Sequence, residues 1–142
     1  MTSIDFYFNA GDRLQVACRL AGKAVSQGKR TLVFAPEPDL AQRIDRMLWT
    51  WPATGFVPHC AAGDALAAET PVLIAEAPET APSCEILLNL CAECPPHFER
   101  YQRVLEIVAA DEEEKRLGRA RYGWYRDRGY QIRAHDLAGS AA

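Results

Sequence analysis

Four stretches of strand length, residues 31–34, 72–75, 86–90 and 104–108, are almost wholly apolar. A strand with apolar side chains on both faces must be covered on both, which is the pattern of a parallel sheet buried between layers of helix. The intervening segments supply the helices. Over residues 13–26, Leu14, Ala17, Cys18, Ala21 and Val25 recur at helical spacing, and Gly28 is placed to end that helix. Pro36, Glu37, Pro38 and Asp39 open a second helix, with Leu40, Ile44, Met47 and Leu48 on one face. Pro95 and Pro96 open a third over 95–102. Asp111, Glu112, Glu113 and Glu114 suit the positive end of a last helix that runs to 128 and stops at Gly129. Short strands at 4–8 and 130–134 complete the alternation, and the segment between Pro52 and Gly63 reads as irregular. The expected fold class is α/β: three layers, α/β/α, around a largely parallel sheet.

The 142 residues suffice for one core and not for two, so residues 1–136 read as a single domain with 137–142 as a flexible tail. No apolar run approaches the roughly 18 residues that span a bilayer. Met1-Thr2-Ser3-Ile4-Asp5 has neither the charge nor the apolar stretch of a signal peptide. Five cysteines at irregular positions, 18, 60, 84, 91 and 94, do not make a disulfide framework. The expectation is a cytoplasmic protein with free thiols and no membrane partner.

This architecture often binds nucleotides, but the phosphate loop is missing. The first crossover reads Asn9-Ala10-Gly11-Asp12, with one glycine and an acid where a phosphate would sit. Cys91-Ala92-Glu93-Cys94, with Cys84 before it and His97 after it, has a spacing that zinc can use. No second pair completes a knuckle, and packing is the better reading of these thiols. His59-Cys60 are neighbours that an extended chain points to opposite sides, and neither His97 nor His135 has a nucleophile or carboxylate at a diagnostic spacing. No catalytic residue, metal ligand or cofactor site is assigned.

Two constellations remain. Trp49, Trp51, Pro52, Phe56, Val57 and Pro58 form a dense apolar cluster around a loop, more than one loop needs for its own packing. In the last helix Lys115, Arg119, Tyr122 and Arg126 are spaced 4, 3 and 4 apart and share one stripe. Leu117, Ala120 and Trp124 lie roughly opposite and are expected to face the sheet. From Lys115 to Arg133 the chain carries a net +6, leaving −9 elsewhere against a total of −3. A local cation on an acidic body suits a specific anionic partner, and an aromatic ring among charges that can fork onto a carboxylate sharpens that reading.

These constellations carry a family likeness. The chain resembles the chi subunit of bacterial DNA polymerase III, an accessory protein of the clamp loader. The likeness runs from about residue 4 to residue 134. It rests on Phe6-Tyr7, on Gln27-Gly28-Lys29-Arg30, and on Leu48-Trp49 followed by Phe56-Val57-Pro58-His59. It rests further on Arg119-Ala120-Arg121-Tyr122, Tyr125-Arg126 and Gly129-Tyr130. The resemblance implies a Rossmann-like fold without nucleotide-binding residues, no enzymatic activity and two protein partners. Trp49 and Phe56 match positions that face the psi subunit. Val108, Lys115, Arg119 and Tyr122 match a pocket for the C-terminal tail of single-stranded DNA-binding protein (SSB), which is acidic and ends in an apolar residue with a free carboxylate. Gly123 stands where relatives can carry lysine, leaving Arg126 or Arg116 to supply that charge. Nucleic acid would then be met only indirectly.

Two other classes are open to a chain of this composition. One is a nucleotide- or zinc-dependent enzyme on the same fold. The other is a direct binder of single strands, for which basic and aromatic residues together are suited. The total charge of −3 and the shortness of the basic patch weigh against the second.

Overall fold

The computed structural model describes residues 2–50, 58–62, 64–77 and 84–138. Seven strands of the described residues form one all-parallel sheet: β1 (Ser3–Ala10), β2 (Thr31–Phe34), β3 (His59–Ala61), β4 (Val72–Ala75), β5 (Ile86–Asn89), β6 (Arg103–Ala109) and β7 (Ile132–Asp136). Their order across the sheet is β3-β4-β2-β5-β6-β1-β7. Among the described residues three helices cover it: α1 (Arg13–Ser26), α2 (Pro38–Thr50) and α3 (Glu112–Asp127).

The expected α/β architecture is what the chain adopts. β2, β4 and β5 are buried at every position, as their unbroken apolar runs require. Val33, Val72, Ile74, Leu88, Leu105 and Ile107 pack under α1 and α2 on one face. Ile4, Phe6, Leu32, Leu73, Leu87 and Val104 form a second core on the other face, where Tyr125 of α3 joins them. Asp12 caps α1, its Oδ1 accepting from Leu14 N at 3.0 Å and Gln15 N at 3.2 Å. The carboxylate thus takes the helix N-terminal donors that a phosphate would otherwise need.

β7 is mostly polar and exposed, yet it pairs with β1 along five residues. Asp5 of β1 holds it there. That side chain is almost wholly buried and receives Arg103 of β6 at 2.8 Å, Arg133 of β7 at 3.0 Å and His135 of β7 at 3.1 Å. Burial pushes its carboxyl up, and the His135 and Arg103 hydrogen bonds with the neighbouring guanidinium charges outweigh that, leaving it below its ordinary value.

Four expectations need correction. The segment before Gly63 contains β3, a three-residue edge strand whose His59 and Cys60 gave no apolar run to read. The third helix is a single 3₁₀ turn at Phe98–Arg100. His97 before it is left-handed at φ 58°, which blocks a helix starting at the two prolines. Phe98 then anchors the turn, its ring 5.3 Å from that of Tyr125 and 5.0 Å from that of Tyr130. The last strand lies two residues later than its pattern suggested. Finally, α3 turns Gly118, Arg121 and Tyr125 toward the sheet; Leu117 and Trp124 are half-buried and Ala120 is exposed. Periodicity of apolar residues points to the edge of the buried face, where Trp124 packs on Phe98 5.5 Å away, because the inward centre of α3 carries a charge.

Candidate binding site

α3 is well specified by its ends. Asp111 caps it, accepting from Glu114 N at 3.3 Å, and three glutamates fill its first turn. Gly129, at φ +82°, ends it: its N–H donates to Arg126 O and the Tyr130 N–H reaches back to Tyr125 O at 3.2 Å.

What seats α3 on the sheet is a buried polar network. Glu106 interrupts the apolar run of β6 and is fully buried. Arg121 Nε donates to its Oε1 at 2.8 Å and the Tyr125 hydroxyl to its Oε2 at 2.8 Å. Asn89 Nδ2, on neighbouring β5, donates to both oxygens at 3.1 and 3.0 Å. Burial holds the carboxyl pKa above its ordinary value, and Arg121, Tyr125 and Asn89 offset that in part. Every group named here is a donor aimed at Glu106, which is the surrounding of an ionised carboxylate. Arg121 also donates to Ala92 O at 3.0 Å, tying α3 to the loop after β5.

Gly118 sets how closely the helix sits. A Cβ on it would lie 2.6 Å from Val108 Cγ2 and 2.9 Å from Val108 Cγ1, so only glycine allows this approach. The result is a pocket of about 330 Å³ between α3 and the ends of β6, β1 and β7, lined by Phe8, Asn9, Val108, Lys115, Arg119 and Asp136. In open α/β sheets ligands bind beyond the carboxyl ends of the strands, and this pocket lies there.

Of the five residues expected at one site, Val108, Lys115 and Arg119 line this pocket together. Tyr122 does not line it. The ring is half-buried behind the wall, 5.3 Å from Phe6 and 6.3 Å from Phe8, and so supports the Phe8 ring that does. Arg126 lies seven residues beyond Arg119, about 10 Å along the helix. Its Nη2 stands 3.7 Å from where a Gly123 side chain would begin, so Arg126 brings its cation to that position. Arg126 also meets Asp127 of its own helix, Nε 3.5 Å from Oδ1, as Arg116 meets Glu113. The other basic side chains nearby are also engaged: Arg128 lies over the Trp124 ring at 3.8 Å and Arg133 is held by Asp5.

Phe8, Asn9 and Asp136 were not foreseen as pocket residues. They come from strands distant in sequence, and no local motif marks them. Glu106 did carry a signal, since one acid inside an apolar strand demands a buried cation.

Trp49 stands on the other side of the molecule, at the end of α2, and is 62% exposed. Its ring meets that of His59 edge-on at 5.1 Å. Phe56, Trp51 and Pro52 lie outside the described residues, so their side of this patch is not described. Among the described residues no three His, Cys, Asp or Glu side chains are grouped as metal ligands. Cys84 and Cys94 pack with the core under α3, and burial pushes the Cys94 thiol up to about 11. No described helix is long and apolar enough to cross a membrane.

The family profile described as DNA polymerase III chi subunit, HolC, matches residues 1–133. The DNA polymerase III subunit chi of Pseudomonas aeruginosa is 32% identical over 141 residues, covering 96% of this chain and 98% of the relative. That of Escherichia coli K12 is 32% identical over 83% of this chain and 81% of the relative. That of Haemophilus influenzae is 27% identical over 87% and 86%.

Proposed function

The chain belongs to the chi-subunit family of DNA polymerase III, and from that membership we propose that it is a non-catalytic adaptor of the replisome. On this reading it holds the psi subunit of the clamp loader at a patch centred on Trp49 and Phe56. It holds the C-terminal tail of SSB in the pocket beneath α3. The observation that carries the reading is the pocket itself, where two cations, Lys115 and Arg119, stand beside two apolar side chains, Val108 and Phe8. Such a pocket suits a chain end that offers a carboxylate and an apolar side chain together. Arg126 continues the positive stripe along α3 for the acidic residues that precede the end.

A direct single-strand binder is less well supported. Arg116, Arg121, Arg128 and Arg133 are each committed to a partner within the fold, which leaves a short basic stripe along α3 among its described residues.

The test is affinity for the C-terminal peptide of the organism's own SSB, measured by fluorescence anisotropy. Arg119→Ala should weaken binding by about 2 kcal/mol or more, roughly thirtyfold, because a charged hydrogen bond to the carboxylate is lost. Arg119 is exposed, so the variant should melt as the parent does. Equal affinity in parent and variant would remove this assignment.

A further inference from the structure

The pocket beneath α3 has two walls of opposite charge. Lys115 and Arg119 rise from α3 on one side, and Asn9 and Asp136 stand on the other, at the ends of β1 and β7. A simple anion has no use for the second wall, because a carboxylate repels it. That wall is nevertheless specifically built. β1 carries one residue more than β6 between Tyr7 and Ala10, an irregularity of the kind that re-aims a side chain. Asn9 lies within it at φ 61°, a left-handed conformation that asparagine tolerates better than most residues. Its Nδ2 donates to Asp136 Oδ1 at 2.8 Å, and Ala138 N donates to the same oxygen at 2.9 Å. Both donors fall on Oδ1, which leaves Oδ2 of Asp136 as the charged acceptor on this wall, beside the neutral amide oxygen of Asn9.

We propose that Asp136 reads the last peptide bond of the ligand, accepting the backbone N–H of its C-terminal residue while Arg119 and Lys115 take the carboxylate. This rests on the reading of the pocket as a receptor for a peptide end, and it says how that end is told from any other acid. A C-terminal residue presents a donor and an anion on either side of one Cα, and the two walls complement those two groups. Val108 and Phe8 supply the apolar lining of the same pocket for the side chain. The volume of about 330 Å³ is at the small end for ligand pockets, which suits one residue and not a longer stretch. The Asn9 amide and the Ala138 N–H hold the Asp136 carboxyl below its ordinary value, so the acceptor is charged at neutral pH.

The experiment uses the SSB C-terminal peptide in two forms, one natural and one with its last amide replaced by an ester, which removes the N–H and keeps the shape. The parent should bind the ester about tenfold more weakly. Asp136→Ala should bind the amide form about tenfold more weakly and no longer distinguish the two forms. Equal affinity of the parent for both forms overturns the proposal. So does tighter binding of the amide form by Asp136→Ala, which would mean that this carboxylate only repels. Arg119→Ala separates this reading from the one beneath it. Parent binding that depends on Arg119 but ignores the ester removes the role of Asp136 alone. A parent that binds neither form removes the peptide pocket and this proposal with it.

Discussion

Glu106 is the residue on which the position of α3 depends. A carboxylate fully inside a sheet is tolerated because Arg121, Tyr125 and Asn89 all donate to it, and each donor comes from an element that must be in register. Removing Arg121 leaves Glu106 with two neutral donors and no counter-charge. Arg121→Met should cost about 3–5 kcal/mol, read as a fall in the denaturation midpoint, because an uncompensated buried charge remains. The double variant Arg121→Met with Glu106→Leu should recover most of that loss, since an apolar pair of similar volume is often as stable as an ion pair. A double variant as unstable as Arg121→Met alone would show that packing around Arg121, not its charge, is what matters. This network was half legible in the sequence. The lone acid in Val104-Leu105-Glu106-Ile107-Val108 called for a cation, but seven basic residues follow and nothing local says which one turns inward. Arg121 is chosen by its place one turn from Gly118 and Tyr125, which only the packed structure displays.

At the scale of the element, the extent of α3 was readable and its orientation was not. Acids before it, a glycine after it and a polar composition between them set the two ends through capping and the helix dipole. The face is set by how near the helix can come to β6, and that depends on Gly118 meeting Val108. Gly118→Ala gains up to about 1 kcal/mol of intrinsic helix propensity. Against this, the new methyl overpacks a contact already at van der Waals limits, which typically costs about 1–3 kcal/mol. The expected sum is a lower melting temperature together with weaker binding of the SSB peptide, because α3 carries Lys115 and Arg119 away from Val108. In a Val108→Ala background the clash disappears, and there Gly118→Ala should be neutral or stabilising. A melting temperature unchanged by Gly118→Ala in the parent background would mean that α3 can shift for no more than the roughly 1 kcal/mol that alanine returns.

At the scale of the molecule, the alternation of apolar runs and helical segments made the layered architecture legible, whereas strand order was not. Order follows from which crossovers span the sheet, and β3 is too short for its place at the edge to show in the sequence. That order matters for function. Trp49, on α2 beside β3, stands near one end of the sheet, and the pocket of Val108 and Arg119 lies at the other, beyond β6, β1 and β7. From β3 to β6 there are four strand intervals, roughly 19 Å at about 4.8 Å each. Groups that far apart with no shared partner act additively, within about 0.5 kcal/mol. The proposed adaptor must hold two partners at once, and this spacing would let it. Trp49→Ala should weaken binding of psi by about 2 kcal/mol, as expected of an aromatic anchor, and leave the SSB peptide unaffected. Arg119→Ala should do the reverse, and the double variant should lose both by the sum of the single effects. Both side chains are exposed, so each variant should keep the parent melting curve. The measurement is a two-by-two binding matrix, psi and SSB peptide against the two variants, by calorimetry. If either single variant, still folded, loses both partners, the two surfaces are one and the bridging role cannot stand.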